Sequence, residues 1–508
     1  MKPLTPALWE KGISFLSLGF LVVWILQMVT GMYRYADNQG VTYAADADAG
    51  CLVEIAKKSH WFRYGGTYGY GVLYPRLAHT LACVSPSSRD PGFSPQEDWE
   101  FRVHFGLMGV SLLSLLAICW LVADAVCLSR GYRNLAWAGL VWAFGHSRTW
   151  AAYVYQAHPD ILLALCFVGM LVMGRKFLAD PSRRNGAGLG LCAAAAVSAK
   201  FSMVMAVPCL LLLAAPPWSG AWRRAGRILV PAGAGFFFLG FPQNFRLGEY
   251  LDKWQHQQKL VLPGTWDSLA GWLGILAEQL WLPGLVLLGV ALGMGRPGAK
   301  RGTRPSLRLW CLVLVPFALV ASRDILSSHD HYVLPTSAGL AWLWAATLRP
   351  ARTGLRPAWW PGVTGLLLLT GMAIWPARYE TTLRGLLAGR GEIREAYREI
   401  KAYLDSGKRV LVEAYIPYPA GHPNLIIGGH LSVTPDFVRQ QQPDMIVVNR
   451  SQIDQILDPQ WPSPYLRAGR ENFDKIRQHY STFKRNEKTS FKLKKLLGNN
   501  LEIWSKNE

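Results

Sequence analysis

Twelve apolar runs, each long enough or nearly long enough to cross a bilayer, follow one another from the N-terminus to about residue 375. They cover residues 14–32, 104–126, 135–152, 160–174, 187–199, 201–215, 228–241, 269–279, 281–295, 309–322, 333–348 and 359–375. Two stretches, 187–215 and 269–295, read either as one broken helix or as two short segments. A simple span needs about 20 residues, so we expect about 11 spans with soft boundaries.

Composition agrees with a membrane protein. Of the 508 residues, 51% are hydrophobic and only 17% are charged, and the mean hydropathy is +0.14. A soluble domain carries roughly 25% charged residues, so an ordinary cytosolic enzyme is excluded. No small-residue cleavage site follows the first run, and we therefore expect that run to be retained as an anchor.

The net charge of +20 gives the orientation of the chain in the membrane. Seventeen Lys and Arg residues lie in five short loops, at 130–133, 175–184, 223–227, 296–308 and 349–356, where Asp180 is the only acid. Cations concentrated in alternate loops mark the cytoplasmic side, so the N-terminus is predicted to be cytoplasmic. The surplus of cations is a topology signal, and it does not indicate a nucleic-acid partner.

The remaining segments then face the opposite side, and an odd number of spans leaves the tail there. We predict a polytopic α-helical domain over 1–375, with outer loops 33–101 and 242–268, followed by a soluble α/β domain over 376–508. The tail carries a helical repeat of apolar residues from Ile393 to Leu404, and Arg409–Val412 and Met445–Val448 are typical of buried strands.

Two cysteines, Cys51 and Cys83, share the first outer loop, where they could form a disulfide or remain separately buried thiols. Neither a CxxC pair nor a Cys/His ligand spacing occurs, so the sequence does not indicate a zinc site. It also has no phosphate-cradling P-loop and no GxSxG elbow, which argues against ATP hydrolysis and hydrolase chemistry.

The first outer loop holds two carboxylates, Asp46 and Asp48, ahead of a short amphipathic stretch. Such a carboxylate can act as a general base towards an acceptor, and an Asp-x-Asp spacing could hold a divalent cation. The alternative is that either residue only caps the next helix. Further along the loop, Tyr70 and Tyr74 suit either a sugar platform or an interfacial anchor.

Other polar residues lie at the predicted outer ends of later spans. His158 and Asp160 begin the fourth run, where Asp160 could serve only as a helix N-terminal residue. Lys200 interrupts the stretch 187–215, at membrane depth or at an outer junction from which it reaches an anionic headgroup. Arg323 and His331 could bind a phosphate or belong to a solvated loop.

Taken in order, these features resemble the GT-C superfamily of polytopic glycosyltransferases, in particular the protein O-mannosyltransferase and lipid A aminoarabinose transferase group. The match rests on the acidic pair before Ile55-Ala56 and on four later motifs. These are Tyr70-Gly71-Val72-Leu73-Tyr74-Pro75, His158-Pro159-Asp160-Ile161-Leu162-Leu163-Ala164, Ser198-Ala199-Lys200-Phe201-Ser202 and His331-Tyr332-Val333-Leu334-Pro335. The resemblance spans essentially 1–375, and the tail matches in position and general character.

The resemblance implies transfer of a sugar from a polyprenyl-phosphate donor to a glycolipid, polysaccharide or protein acceptor at the outer face. It gives Asp48 the role of base, with Asp46 as the alternate, and maps the cations near the donor phosphate to Lys200 and, more loosely, to Arg323 and His331. The chain departs from the family in having Asp-Ala-Asp for an Asp-Glu pair and Tyr74-Pro75 for a double proline.

Two other classes of protein stay open at this point. A lipid or solute transporter would place ionisable groups near the bilayer centre and show a repeat, whereas here these groups gather at the outer interface. A non-catalytic polysaccharide-assembly subunit of the same fold is the third reading. We expect a bacterial inner membrane, or the endoplasmic reticulum in a eukaryote, with the tail on the periplasmic or lumenal side.

Overall fold

The computed structural model describes most of the chain. It covers residues 6–39, 71–88, 95–126, 129–200, 207–214, 220–241, 266–293, 305–321, 330–348, 360–387, 390–413, 422–428, 434–457, 491–497 and 501–506. It also describes isolated residues within 52–57, 416–419 and 474–481, and residues 248, 262–263 and 323–324. Structural statements below concern these residues.

The part before residue 376 is built almost entirely from helices. They are α1 Pro6–Gln39, α2 Leu73–Ala82, α3 Pro95–Ala125, α4 Arg130–Phe144, α5 Arg148–Tyr155, α6 Asp160–Ala179, α7 Arg183–Ala199, α8 Val207–Ala214, α9 Ala221–Leu239, α10 Trp266–Gly293, α11 Leu307–Ala321, α12 Leu334–Thr347 and α13 Trp360–Ile374. A short antiparallel pair, β1 Leu262–Pro263 and β2 Arg323–Asp324, and a 3-10 turn Asp330–Val333 complete this part.

Four helical segments are long and apolar enough to cross a membrane within the described residues: Leu8–Ala36, Pro95–Ala125, Asp160–Ala179 and Leu269–Ala291. The shorter Leu307–Ala321 is also apolar. The prediction that the chain is a multi-pass membrane protein is therefore confirmed.

The structure resolves the two ambiguous stretches in opposite ways. Within 269–295, the described residues up to Gly293 belong to one helix, α10, which continues through Pro283. The described residues of 187–215 belong to two helices, α7 and α8, because α7 ends before Lys200, its C-cap, which adopts an extended conformation. The predicted run 135–152 is also divided, since a turn at 145–147 separates α4 from α5.

Small residues let the helices pack closely. The tightest pair joins α7 to α9, where a Cβ added to Gly190 would lie 2.3 Å from the carbonyl oxygen of Ile228. Close approach of backbones through glycine and alanine is how helices associate in a lipid environment that supplies no hydrophobic drive. The apolar core formed in this way runs continuously from α1 to α14 (Tyr379–Leu387).

The tail contains a five-stranded mixed sheet in the order β4-β3-β5-β7-β6. Its elements are α15 Arg390–Asp405, β3 Val410–Val412, β4 Leu425–Ile427, α16 Pro435–Gln441, β5 Met445–Asn449, α17 Arg450–Leu457, β6 Phe491–Leu497 and β7 Leu501–Lys506. The helix predicted from the repeat between Ile393 and Leu404 is confirmed, and so are the strands predicted at Arg409–Val412 and Met445–Val448. Strands β4, β3 and β5 are parallel, and β7 pairs with β5 in the antiparallel sense.

Side chains of successive strand residues reach apolar layers on opposite faces of this sheet. Val410 and Val412 pack with α15 on one face, and Leu411 packs on the other. Helix α15 also meets the N-terminus of α3, because the Tyr397 hydroxyl donates to Glu97 Oε1 at 2.8 Å and Lys401 Nζ pairs with the same oxygen at 3.2 Å. The tail thus contacts the helical part through polar side chains.

Candidate functional site

A buried lysine–aspartate pair lies where α6 begins and α7 ends. Asp160 is the first residue of α6, and Lys200 caps the end of α7, which packs against α6. Because the two helices are consecutive and antiparallel, residues 40 positions apart in sequence meet at one end. Lys200 Nζ lies 3.0 Å from Asp160 Oδ1 and 2.9 Å from Oδ2. With only 6% of Lys200 exposed, its ammonium group does not extend into solvent.

His158 completes the cluster from the preceding turn. Its Nδ1 lies 2.6 Å from Asp160 Oδ2, and both side chains are buried. The turn contains Ala157 at a φ of 57°, a backbone conformation that few non-glycine residues adopt. Tyr153 of α5 packs edge-on against the His158 ring, with ring centroids 5.1 Å apart. The Asp160 carboxylate is therefore bonded to the Lys200 ammonium group, which stabilises its negative charge, and lies beside the His158 ring.

A third element, the 3-10 turn, contacts the same lysine. Lys200 Nζ lies 4.1 Å from the centroid of the Tyr332 ring, within the range of a cation–π interaction. Tyr332 neighbours His331, so the backbone of the motif 331–335 lies beside Lys200. Two motifs that are about 130 residues apart in sequence thus converge on one ammonium group.

The segment before α2 packs directly on the backbone around Lys200. The Gly71 amide donates to the Ala199 carbonyl at 3.2 Å, and a Cβ at Gly71 would lie 1.9 Å from the Ser198 carbonyl oxygen. Only glycine allows this approach, because any side chain would collide with backbone. The motif that begins at Tyr70 therefore reaches the Lys200 cluster through Gly71.

Tyr74 links the same motif to His158. Its ring is fully buried, and its hydroxyl lies 2.9 Å from both the Leu107 carbonyl oxygen and Ser111 Oγ. Ser111 Oγ in turn donates to the His158 carbonyl at 3.5 Å. Tyr74 thus braces α2 against α3 beside the turn that carries His158, and direct contact of Tyr74 with a substrate stays a prediction.

Sequence reasoning missed two buried charged groups on the same side of the molecule. Arg76 is 1% exposed, and its guanidinium donates to the carbonyls of Leu239, at 2.7 Å, and Phe241, at the end of α9. Lys57 forms a buried ion pair with Glu100 of α3. Arg76 follows Tyr74-Pro75 in a helix that is otherwise apolar over most of its length. A single cation in such a helix is the sequence feature that could have predicted a buried functional charge.

Several predicted site residues lie outside what the structure describes. Asp46, Asp48, Tyr70 and Cys51 are not among the described residues, and only the backbone is described for Arg323, in β2, and for His331, in the 3-10 turn. Cys83, by contrast, is an exposed free thiol at the end of α2. In the described part of the chain, no group of three or more His, Cys, Asp and Glu side chains is arranged to hold a metal ion.

The described cluster contains one cation, Lys200, that an anionic ligand could contact. Lys200 supplies a cation in a buried setting, where electrostatic interactions are stronger than in water. Asp160 and His158 hold that cation in place by fixing the carboxylate to which it is bonded. A phosphate beside Lys200 would share the ammonium group with Asp160, because both carboxylate oxygens already accept from Nζ.

This chain shares its fold with a solved protein of the group that the sequence motifs resemble. ArnT from Cupriavidus metallidurans bound to undecaprenyl phosphate superposes with a TM-score of 0.55 over 96% of this chain and 98% of its own, at 13% identity. Its apo form gives a TM-score of 0.54 with the same coverage.

An oligosaccharyltransferase from Archaeoglobus fulgidus, tethered with an acceptor peptide, is a more distant match. It has a TM-score of 0.43 and 10% identity, and the alignment covers 90% of this chain and 72% of that protein. No protein-family model and no curated protein sequence matches this chain.

Proposed function

We propose that this protein is an integral membrane glycosyltransferase that moves a sugar from a polyprenyl-phosphate donor to an acceptor at the outer face of the membrane. The observation that carries the proposal is the buried Lys200–Asp160 pair, on which the Gly71 and Tyr332 motifs converge. The fold shared with ArnT, which was solved with undecaprenyl phosphate, supports the same class of donor.

In the proposed reaction, Lys200 neutralises the donor phosphate as it departs from the sugar. A glycosyl phosphate already has a good leaving group, so the protein must stabilise the phosphate charge and activate the acceptor. We assign the activating base to Asp48, with Asp46 as the alternate. Arg323 and His331 would add hydrogen-bond donors to the phosphate, and a divalent cation at Asp46 and Asp48 is a further component to test.

Attack by the acceptor on the anomeric carbon would form one glycosidic bond while the bond from that carbon to the phosphate oxygen breaks. The acceptor proton passes to the carboxylate base, and the polyprenyl phosphate leaves as an anion beside Lys200. One displacement of this kind inverts the anomeric centre. A product that retains the donor configuration by NMR would rule out the single displacement.

We further propose an orientation in which the Lys200 cluster lies on the periplasmic side of a bacterial inner membrane. The cation-rich end of α6 lies opposite to Asp160, and that of α7 lies opposite to Lys200, and positive loops mark the cytoplasm. This orientation goes with the predicted 11 spans, an odd number that would leave the tail outside. Cysteine labelling of intact cells at Ser406, in the tail, and at Ser182, before α7, would test this topology.

Lipid analysis of cells that lack the protein tests the function most broadly. We expect a polyprenyl-phosphate sugar or an unmodified acceptor to accumulate, and mass spectrometry of the lipid extract would identify it. Complementation with Asp48→Asn should leave the accumulation in place. Loss of a solute or lipid flux without any change in glycosylated products would favour the transporter reading, and full complementation by Asp48→Asn would remove the assignment of the base.

A further inference from the structure

Three buried side chains close to the Lys200 cluster have polar atoms that the cluster does not use. They are His146 in the turn between α4 and α5, Trp150 in the first turn of α5, and Gln279 in α10. Trp150 and Gln279 are fully buried, and His146 is 8% exposed. Within the described residues, His146 Nε2, Trp150 Nε1 and both amide atoms of Gln279 have no hydrogen-bond partner.

Direct hydrogen bonds bring the α4–α5 turn and α10 together at this point. Glu278 Oε2 accepts from the Ser147 hydroxyl at 3.1 Å, and Glu278 Oε1 accepts from the Arg148 amide at 3.2 Å. His146 and Gln279 are the sequence neighbours of the residues in this contact. Two buried polar groups without partners therefore flank one inter-helix contact.

Aromatic neighbours show that this region lies at the end of α13 that leads to the tail. The His146 ring centroid is 4.4 Å from that of Trp375, directly after α13, and 4.8 Å from that of Trp142. Trp281, two residues after Gln279, also contacts Trp375, with ring centroids 6.3 Å apart. Tryptophans gather at membrane interfaces, so this group of rings beside Gln279 is typical of an interface.

The same region connects to the cluster through two elements. Helix α5 carries Trp150 at its start and Tyr153, which packs on His158, one turn later. On α10, Leu276 lies one turn before Gln279 and packs in an apolar cluster with Val333, the neighbour of Tyr332. The three polar side chains are therefore on elements that adjoin both His158 and Tyr332.

Unpartnered polar groups at such a depth indicate a function other than folding. A buried polar group without a hydrogen bond opposes folding, and polar residues in membrane segments commonly mark substrate paths. Here their chemistry is complementary to hydroxyl groups. His146 Nδ1 donates to the Trp142 carbonyl at 3.0 Å, which leaves Nε2 of the neutral ring as an acceptor. Trp150 can only donate, and Gln279 can do both.

We propose that His146, Trp150 and Gln279 form a sugar subsite, in which they hydrogen-bond the hydroxyl groups of the glycosyl unit carried by the polyprenyl-phosphate donor. This inference rests on the proposed function and extends it from the phosphate to the sugar. Hydroxyls donate and accept at once, which matches a set of uncharged donors and acceptors. Lys200 then binds the phosphate, and the α4–α5 turn and α10 select the sugar.

Binding measurements on the full chain in lipid nanodiscs separate binding of the phosphate from binding of the sugar. The probes are undecaprenyl phosphate alone and undecaprenyl phosphates that carry glucose, mannose, galactose or arabinose. We expect the wild type to bind at least one glycosylated probe more tightly than the bare phosphate. Gln279→Leu should weaken binding of that probe about tenfold, as expected for losing a buried hydrogen bond, and leave the bare phosphate unaffected.

Two further variants complete the design. The control is Gln27→Leu, the same change at an exposed position in α1, which should leave all affinities unchanged. The second test is His146→Phe, which should weaken binding of the same glycosylated probe as Gln279→Leu does. Because neither Gln279 atom has a partner in the described residues, Gln279→Leu should not lower the thermal midpoint. The inference is overturned if no sugar improves wild-type binding, if Gln279→Leu keeps the preference, or if it weakens both kinds of probe equally. Failure of the wild type to bind bare undecaprenyl phosphate would instead contradict the proposed function, and the subsite with it.

Discussion

Lys200 and Asp160 form a buried ion pair in which one ammonium group lies within 3.0 Å of both carboxylate oxygens. The pair joins the end of α7 to the start of α6 and is shielded from solvent by Tyr332 and by the segment at Gly71. Such a pair contributes little net stability when intact, since both charges have lost their hydration. Removal of only one of the two charges destabilises the protein strongly, because the other charge stays buried without a partner.

The ion pair predicts a specific order of stabilities. Asp160→Asn should destabilise the protein by about 3–5 kcal/mol, because the buried Lys200 ammonium loses its counter-charge. The double variant Asp160→Asn/Lys200→Met removes both charges and should recover most of that loss. Thermal unfolding in detergent measures the order, and Arg102→Met, at the more exposed pair with Asp98, provides a control with little effect. Equal midpoints for wild type and Asp160→Asn would contradict a buried, charged pair.

Gly71 should tolerate no side chain. Gly71→Ala places a Cβ 1.9 Å from the Ser198 carbonyl oxygen, so the segment must move away from Lys200. We expect a loss of about 1–3 kcal/mol in stability from this overpacking, together with loss of donor binding. The matched control is Gly19→Ala in α1, where no described atom lies within 4 Å of the added Cβ and the alanine favours the helix. Comparable behaviour of the two variants in thermal unfolding and donor binding would contradict the close contact.

The contact between α15 and α3 should depend on one shared carboxylate. Tyr397→Phe removes a hydrogen bond to Glu97 and should destabilise the protein by about 1.5–3 kcal/mol, the range for a bond to a charged group. Hydrogen exchange of the α15 amides should rise in the variant, while that of α7 stays unchanged. In a double-mutant cycle with Glu97→Gln the two effects should overlap, and strictly additive effects would mean that the two side chains do not interact.

The tail should lose stability as the pH rises through neutrality. Burial raises the pKa of the Glu413 carboxyl to about 7, and hydrogen bonds from the Tyr480 hydroxyl and the Asn449 backbone offset this only in part. Because the folded pKa lies above the unfolded value, the folded state holds a proton that the unfolded state has released between pH 4.5 and about 7. The stabilisation present below pH 4.5 is then lost towards pH 8, by on the order of 3 kcal/mol.

Glu413→Gln isolates this effect, since an amide has the shape of the protonated carboxyl but does not titrate. The variant and the wild type should have similar stability at pH 5, and the variant should become the more stable protein by pH 8. Unfolding monitored by near-ultraviolet circular dichroism at several pH values measures the difference. A difference that does not change with pH would show that the Glu413 carboxyl does not titrate in this range.

The sequence predicts the individual members of the cluster but not their contacts. His158, Asp160 and Lys200 stand out because each interrupts or ends an apolar run, which is costly in a membrane. Their pairing depends on the packing of α6 against α7, and Gly71 is recognisable only from its contact with the Ser198 backbone. The break at 145–147 was missed because Trp150 and Tyr153 continue the apolar composition of α4.

In the tail, the predicted strands were those with continuous apolar runs. Strands β3 and β5 are covered on both faces, so every side chain except that of Asn449, at the end of β5, is apolar and the pattern is clear. Strands β6 and β7 mix lysines and glutamate with apolar residues, and only the pairing of β7 with β5 and of β6 with β7 reveals the edge of the sheet. Buried charged residues such as Arg76 and Glu100 were missed because their partners are helix-end carbonyls or distant side chains.

The affinity for undecaprenyl phosphate tests the central claim, that Lys200 receives the donor phosphate, most directly. In nanodiscs, the wild type should bind this lipid, and Lys200→Met should weaken binding at least tenfold, since a buried charged hydrogen bond is worth about 2 kcal/mol or more. Lys176→Met, in the last turn of α6 at the opposite end of that helix, should bind like the wild type. Equal affinity of wild type and Lys200→Met, with both proteins folded, would contradict the assignment of the phosphate site.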